Sequence, residues 1–322
     1  MGYKFKAVVI DHVFADLSPS VKALNDVDCD VVVLPKGASE DQIMEATKDA
    51  DAVLLTYFEL KDKFIENMTK CKVITRTGIG VNNIDVDVAT KKGIKVAYVP
   101  DYCIDEVADH ALALIMSCAR GIVDLNNNIK GGNWAMDGAK PLFRFRGRKL
   151  GLLGFGRIAQ SLCDKMKPLG VEVLAFDPFL TADKVAEKGA KKVEIDELFS
   201  ESDYISLHAP LTKDTANIVN AENLKLAKKD LIIVNTSRGG LIDEKALFDA
   251  LSAGKIAKAG LDVLASEVFD PKNPLVGLKN VILTPHAGYY SEQSTIELRD
   301  RAFDEVLRGV TGQAQRCQFN KV

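Results

Sequence analysis

From Arg148 to Pro178 the chain reads RKLGLLGFGRIAQSLCDKMKPLGVEVLAFDP. A short apolar run, Leu150 to Leu153, enters Gly154-Phe155-Gly156-Arg157-Ile158-Ala159; a helix with Ile158, Leu162, Met166 and Leu169 on one face ends at Gly170; and a second apolar run, Val171 to Phe176, delivers Asp177. The order is strand, glycine turn, helix, strand, acid. Each part suits a dinucleotide. Gly154 permits the tight turn out of the strand, Gly156 has no Cβ to hold a pyrophosphate away, and the helix N-terminus offers unpaired N–H groups. Ala159 stands where a third glycine is more usual. Asp177 follows Gly154 by 23 residues, near the spacing of a carboxylate that takes the ribose hydroxyls. An acid there repels the extra phosphate of NADP, and no arginine follows closely, so the expected cofactor is NAD.

Working outward, 322 residues are long for one core and favour two domains. The net charge of −3 gives no electrostatic case for nucleic acid or an anionic membrane. No apolar run approaches membrane-spanning length, and the N-terminus, MGYKFKAVVID, lacks signal-peptide architecture. Cys29, Cys71, Cys103, Cys118, Cys163 and Cys317 include no CxxC pair and read as reduced thiols of a cytoplasmic protein. His12, His110, His208 and His286 have no ligand spacing, so no metal is expected.

Before the glycine turn, apolar runs at Ala7 to Ile10, Val31 to Leu34, Ala52 to Thr56, Val73 to Arg76 and Lys95 to Val99 alternate with helical stretches. Among these are Glu40 to Lys48, with Ser39 and Gln42 as a capping box, and Val86 to Lys92, between Asp85 and Gly93. This pattern predicts a small α/β domain with a parallel sheet. Two loops stand out: Thr56-Tyr57-Phe58, and Arg76 to Asn83, whose glycines leave N–H groups open to an anion such as a carboxylate. Each reads equally well as a plain turn. Asp105 to Trp134 forms a helical region with an apolar centre, expected to be a buried connector or an oligomer contact; His110 at its polar edge reads as structural.

After the glycine turn, strands are expected at Tyr204 to His208, Leu231 to Thr236, Ala259 to Val263 and Val281 to Thr284, with helices at Ala221 to Ala227 and Glu244 to Ala253. Together they predict a doubly wound sheet of Rossmann type. A last amphipathic helix, Ser291 to Gly309, lies beyond it. Ligands of such sheets meet the residues that follow the strands. Here these include Arg238, Glu267 and His286. Reducing a 2-keto acid requires a cation for the carboxylate and a proton donor with pKa near neutrality. Arg238 supplies a permanent planar charge, and His286 suits proton exchange. Glu267 beside the imidazole would fix its tautomer and raise its pKa. Alone, each fits a blander role: a surface ion pair, a loop acid, a capped strand end.

The ordered set GFGRIA, FDP, HAPLTKDT, NTSRGGLIDEKAL, GLDV, SE and TPHAGYYSEQ resembles the D-isomer-specific 2-hydroxyacid dehydrogenase family over nearly the whole chain. RTGIGVNNID, DEVADHALAL and TPHAGYYSEQSTIELRDRA resemble the branch that includes the C-terminal binding proteins. The resemblance implies two doubly wound parallel-sheet domains: a Rossmann NAD-binding domain, residues 102–289, inserted into a smaller flavodoxin-like substrate domain, residues 1–101 and 290–322. It implies that Gly154, Gly156, Arg157 and Ile158 meet the pyrophosphate and Asp177 the adenine ribose. His208, Pro210 and Thr215 would line the cofactor, with Thr236, Arg238, Asp262, His286 and Gly288 toward the nicotinamide end. Tyr57, Ile79, Gly80, Arg238 and Tyr289 would meet the substrate. It further implies a cleft clasped by the two domains and a homodimer through the helices around Asp105 to Trp134.

Two departures stand out. Val268 follows Glu267 where the family commonly has proline, and Tyr289 stands where the C-terminal binding proteins have tryptophan. The expected activity is NAD-dependent interconversion of a small 2-keto acid and its D-2-hydroxy acid, with Arg238, Glu267 and His286 catalytic. Tyr57, Phe58, Tyr102 and Tyr289 suggest an apolar or aromatic pocket rather than one for 3-phosphoglycerate. The alternative is an NAD(H)-sensing, peptide-binding dimer with residual dehydrogenase activity. Formate dehydrogenase chemistry, which needs no proton donor paired with a glutamate, fits less well.

Overall fold

A computed structural model describes residues 2–322. In chain order the elements are β1 (Phe5–Val9), α1 (Ser18–Asn25), β2 (Cys29–Val33), α2 (Glu40–Lys48), β3 (Ala52–Leu55), α3 (Asp62–Asn67), β4 (Val73–Arg76), α4 (Val86–Lys91), β5 (Lys95–Ala97), α5 (Ile104–Arg120) and α6 (Ile122–Lys130). They continue as β6 (Lys149–Leu153), α7 (Arg157–Met166), β7 (Glu172–Phe176), α8 (Ala182–Ala186), β8 (Lys191–Lys192), α9 (Ile195–Glu201), β9 (Tyr204–Leu207), α10 (Ala221–Leu226), β10 (Ile232–Asn235), α11 (Glu244–Ser252), β11 (Lys258–Leu261), β12 (Val281–Leu283) and α12 (Glu292–Thr311).

The chain divides into two units. One runs up to Tyr102 and takes in Ser291–Val322; the other is Cys103–Tyr290. Each junction falls one residue later than the sequence boundaries above. The first unit has a five-stranded parallel sheet in the order β2-β1-β3-β4-β5, the flavodoxin-like order. β3 is buried along its whole length, as its unbroken AVLL demands of a strand covered on both faces. α12 returns to this sheet and packs on β3 and β4. Gly309 permits that approach, since a Cβ there would lie 2.2 Å from Val73 Cγ1. The expected capping box starts α2: the Ser39 hydroxyl accepts from Gln42 N and the Gln42 side chain accepts from Ser39 N.

The second unit has a seven-stranded parallel sheet in the order β12-β11-β10-β9-β6-β7-β8, a Rossmann arrangement extended by one strand. Order reverses at β6, so the β6 and β9 ends flank the crevice where a dinucleotide binds. α5 buries Val107, Ala108, Ala111, Leu114, Ile115, Cys118 and Ala119 and packs on β10 and β11. The helical region expected from Asp105 to Trp134 is two helices, because Gly121 takes φ +58° and ends α5; Trp134 lies beyond α6. No described helix is long and apolar enough to cross a membrane.

Candidate active site

β6 leads into Gly154 at φ +87°, where a Cβ would lie 2.8 Å from Ala209 N. Glycine is therefore required twice over, by conformation and by the strand next door. Gly156 caps α7 without a side-chain bond to the first turn, and a Cβ there would meet nothing within 4 Å. Open space thus lies before a helix N-terminus that no side-chain cap bond occupies, at Arg157 and Ile158. This is a fitting cradle for a pyrophosphate. Asp177 faces the turn: its Oδ2 accepts from Phe155 N at 3.0 Å and its Oδ1 from Phe179 N at 2.9 Å.

At the end of β9, His208 Nε2 lies 2.9 Å from Ser206 Oγ, and burial pushes the imidazole down to about 4, so the ring is neutral. Thr215 donates to Pro210 O at 2.6 Å and accepts from Thr212 N at 2.8 Å, which ties HAPLTKDT into a compact loop. Beyond β10 the buried Oγ1 of Thr236 has no hydrogen-bond partner among the described residues. A bound carboxamide could relieve that orphaned hydroxyl, so the cofactor fits at this end too.

The buried Asn235 shapes the next turn by donating to Arg238 O at 2.9 Å and accepting from Ser237 N at 3.0 Å. Arg238 Nη1 donates to Ser237 O. Gly239 packs so closely on the loop after β11 that a Cβ would stand 1.9 Å from Leu264 C. From that loop Glu267 Oε2 reaches His286 Nδ1 at 3.0 Å. An ionised carboxylate only accepts, so Nδ1 carries the proton donated to it. The bond from His286, helped by the charges of His286 and Arg238, outweighs burial and holds the Glu267 carboxyl below the usual range.

His286 has φ +53°, a left-handed conformation rare for a non-glycine residue. Asp262 secures it. Asp262 O accepts from His286 N at 2.8 Å, while its carboxylate accepts from Ala287 N and Gly288 N at 2.8 Å each and from Thr284 Oγ1 at 2.5 Å. His110 Nε2 completes the network, 2.9 Å from Thr284 Oγ1 and 3.3 Å from Asp262 Oδ1. Burial alone would raise the Asp262 pKa, but these bonds lower it. Tyr289 sets its ring edge-on to His286 at 6.1 Å.

The second unit therefore brings together Arg238, Glu267, His286, Asp262, Gly288 and Tyr289, with the glycine turn and Asp177 at the ends of β6 and β7. Tyr57, Ile79 and Gly80 belong to the first unit. There Asp11 accepts from the N–H groups of Thr56, Tyr57 and Phe58, and Asn83 donates to Thr56 O and Phe58 O, fixing the Tyr57 loop. Gly78, at φ +141°, makes room for Arg76, whose Nη1 lies where a Cβ would stand. The sequence reading missed Asp11 and the bonds of His110, and it named Asn235 at the strand end without its role in the turn; the His110 contact spans 174 residues and leaves no local signal. No cluster fit for a metal occurs among the described residues.

Three comparisons bear on this arrangement. The family model described as "D-isomer specific 2-hydroxyacid dehydrogenase, NAD binding domain" matches residues 112–288. The chain is 38% identical over 294 residues to the glyoxylate reductase of Thermococcus litoralis, covering 89% of this chain and 88% of that protein. It is 39% identical over 292 residues to the D-3-phosphoglycerate dehydrogenase of Methanocaldococcus jannaschii, covering 90% of this chain and 54% of that protein. The chain thus spans about half the length of the phosphoglycerate dehydrogenases it matches. Among solved structures, a D-lactate dehydrogenase from Aquifex aeolicus complexed with NAD and lactic acid superposes with a TM-score of 0.86 at 28% identity, covering 95% of this chain and 96% of that one.

Proposed function

Because the chain belongs to the D-isomer specific 2-hydroxyacid dehydrogenase family and carries its NAD-binding domain, we propose that it interconverts a small 2-keto acid and its D-2-hydroxy acid with NAD as cofactor. The observation that carries this reading is the Glu267–His286 pair at 3.0 Å, on a loop in backbone contact with the Arg238 turn.

NADH, when bound, would supply a hydride for the carbonyl carbon. Arg238 holds the carboxylate and polarises the carbonyl through its fixed charge. His286 Nε2 gives its proton to the oxygen as negative charge develops there, and the ionised Glu267 steadies the imidazole through Nδ1. Asp177 takes the ribose hydroxyls and disfavours a 2′-phosphate. Tyr57, Ile79 and Gly80 take part on the substrate side, the last two through their backbone. Tyr289 beside His286 favours an apolar or aromatic substrate side chain. Lys61 and Lys63, the cations nearest Tyr57 in sequence, are paired with Glu59 and Glu40, which speaks against a phosphorylated acid. Six free cysteines suit the cytoplasm.

The test is NADH oxidation by the purified protein with glyoxylate, pyruvate, hydroxypyruvate, 2-ketoisocaproate, 4-methylthio-2-oxobutyrate and phenylpyruvate, with NADPH in parallel. Fast turnover of one acid, lost with NADPH, is expected. Arg238→Ala should reduce kcat/KM by about 10²-fold or more; normal turnover in that variant would refute the mechanism.

A further inference from the structure

The loop from Ala265 to Asn273 carries Glu267, yet much of it stands in solvent: Val268 is 79% and Phe269 69% exposed. Neither can anchor it by burial, and Val268 gives the backbone none of the rigidity of a proline. The internal ties are short. Ser266 Oγ contacts Val268 N and O, and Asp270 accepts from Lys272 N and Asn273 N. They shape the loop without fixing it to the sheet.

Glu244, the first residue of α11, makes that attachment. Its Oε1 accepts from Ala265 N at 2.6 Å and its Oε2 from Asn273 Nδ2 at 2.9 Å, so one carboxylate grips both ends of the loop. Asn273 is itself fixed, since its Oδ1 accepts from Leu275 N at 3.0 Å. Asp243 caps α11 through Ala246 N, which leaves the Glu244 side chain for the loop. Beside it, Gly239 packs on Leu264 and Ala265, and Arg238 precedes Gly239.

We propose that Glu244 is a positioning residue for the reaction: by clamping Ala265 and Asn273 it sets the height and angle of the Glu267 loop, and through Glu267 the orientation of His286. The inference rests on the roles given above to Glu267 and His286. Glu244 touches neither substrate nor cofactor in this account. Its effect on rate runs wholly through Glu267, which also distinguishes it from an acid that merely stabilises the start of α11. The charged groups around Glu267 are His286, Arg238 and Asp262.

The experiment uses the full chain and the keto acid found best in the panel. Glu244→Ala, Glu244→Gln and Asn273→Ala are made alone and combined with Glu267→Gln. Glu244→Ala should lower kcat roughly tenfold while KM for the keto acid and the Kd of NADH change by less than about twofold. The acid limb of kcat/KM should rise in pH, as the loosened Glu267 loses its bond from His286 and moves back toward an ordinary glutamate. In the Glu267→Gln background, Glu244→Ala should add less than about a twofold further loss. Amide exchange across residues 264–274 should speed up with protection elsewhere kept. Glu244→Gln, which retains an acceptor for Ala265, should recover part of the rate.

Equal losses in both backgrounds, or a wild-type kcat and acid limb in Glu244→Ala, would overturn the inference. If Glu244→Ala does not fold, Asn273→Ala decides, since it frees one end of the loop and leaves α11 intact; an unmoved acid limb there overturns it equally. Should Glu267→Gln itself turn over like the wild type, the role of Glu267 falls and the inference with it. A collapse in Glu267→Gln with none in Glu244→Ala removes the inference alone.

Discussion

His286 holds a left-handed backbone that costs a non-glycine residue about 1 kcal/mol or more. The surrounding turn imposes it: Asp262 grips the N–H groups of His286, Ala287 and Gly288. Because the folded Asp262 pKa lies below the ordinary value, its stabilisation is complete above the ordinary value and is lost as pH falls from there through the lowered folded pKa. Thermal melts of the wild type and Asp262→Asn should therefore differ most at neutral pH and converge as the pH falls through the lowered pKa of the folded carboxyl; a constant gap would refute the assignment. Asp177 supports a second expectation. Asp177→Ser should raise kcat/KM with NADPH and lower it with NADH, and unchanged cofactor preference would remove Asp177 from the ribose site. Arg238, Glu267 and His286 were legible because each follows an apolar run. The pairing of Glu267 with His286 was expected from the sequence as well; the grip of Asp262 on residues 287 and 288, across about 25 residues, was not.

At the level of elements, the strands were legible wherever a buried apolar run had a helical neighbour. β3, β9 and β10 are fully buried and fall within the expected stretches, displaced at most by a residue at their ends. β8, with two residues, had no pattern to detect. The tail after α12 was equally silent, yet it closes the exposed edge of β5: Phe319 N donates to Val96 O at 2.8 Å and Tyr98 N to Cys317 O at 3.2 Å. Asn320 is its anchor. Its Oδ1 accepts from Val96 N at 2.7 Å and its Nδ2 donates to Ile94 O and Thr90 Oγ1, both at 2.9 Å. Asn320→Ala leaves buried backbone groups unpaired and should destabilise the fold by about 2 kcal/mol. A denaturation midpoint equal to that of the wild type would show that the tail does not stabilise the first unit.

For the whole molecule, the two α/β patterns and the glycine turn made the fold class legible, since parallel strands joined by helices admit few topologies. One surface of the second unit is explained by no internal pattern. α6 buries none of its residues, although Ile122, Leu125 and Ile129 recur on one face. Ile122 is 54%, Ile129 46% and Trp134 91% exposed, an apolar concentration that a lone chain in water has reason to cover. A second copy offering the same face would bury it under two-fold symmetry, the homodimer expected from the sequence resemblance. Sedimentation should give twice the chain mass for the wild type and a shift to monomer at micromolar concentration for Ile122→Asp/Ile129→Asp, because each charge would be desolvated twice across a symmetric contact. The residues proposed as catalytic lie in other elements, so the monomer should keep its NADH affinity. A wild type that sediments as a single chain, or a double variant that stays dimeric, would mean that this face covers something else.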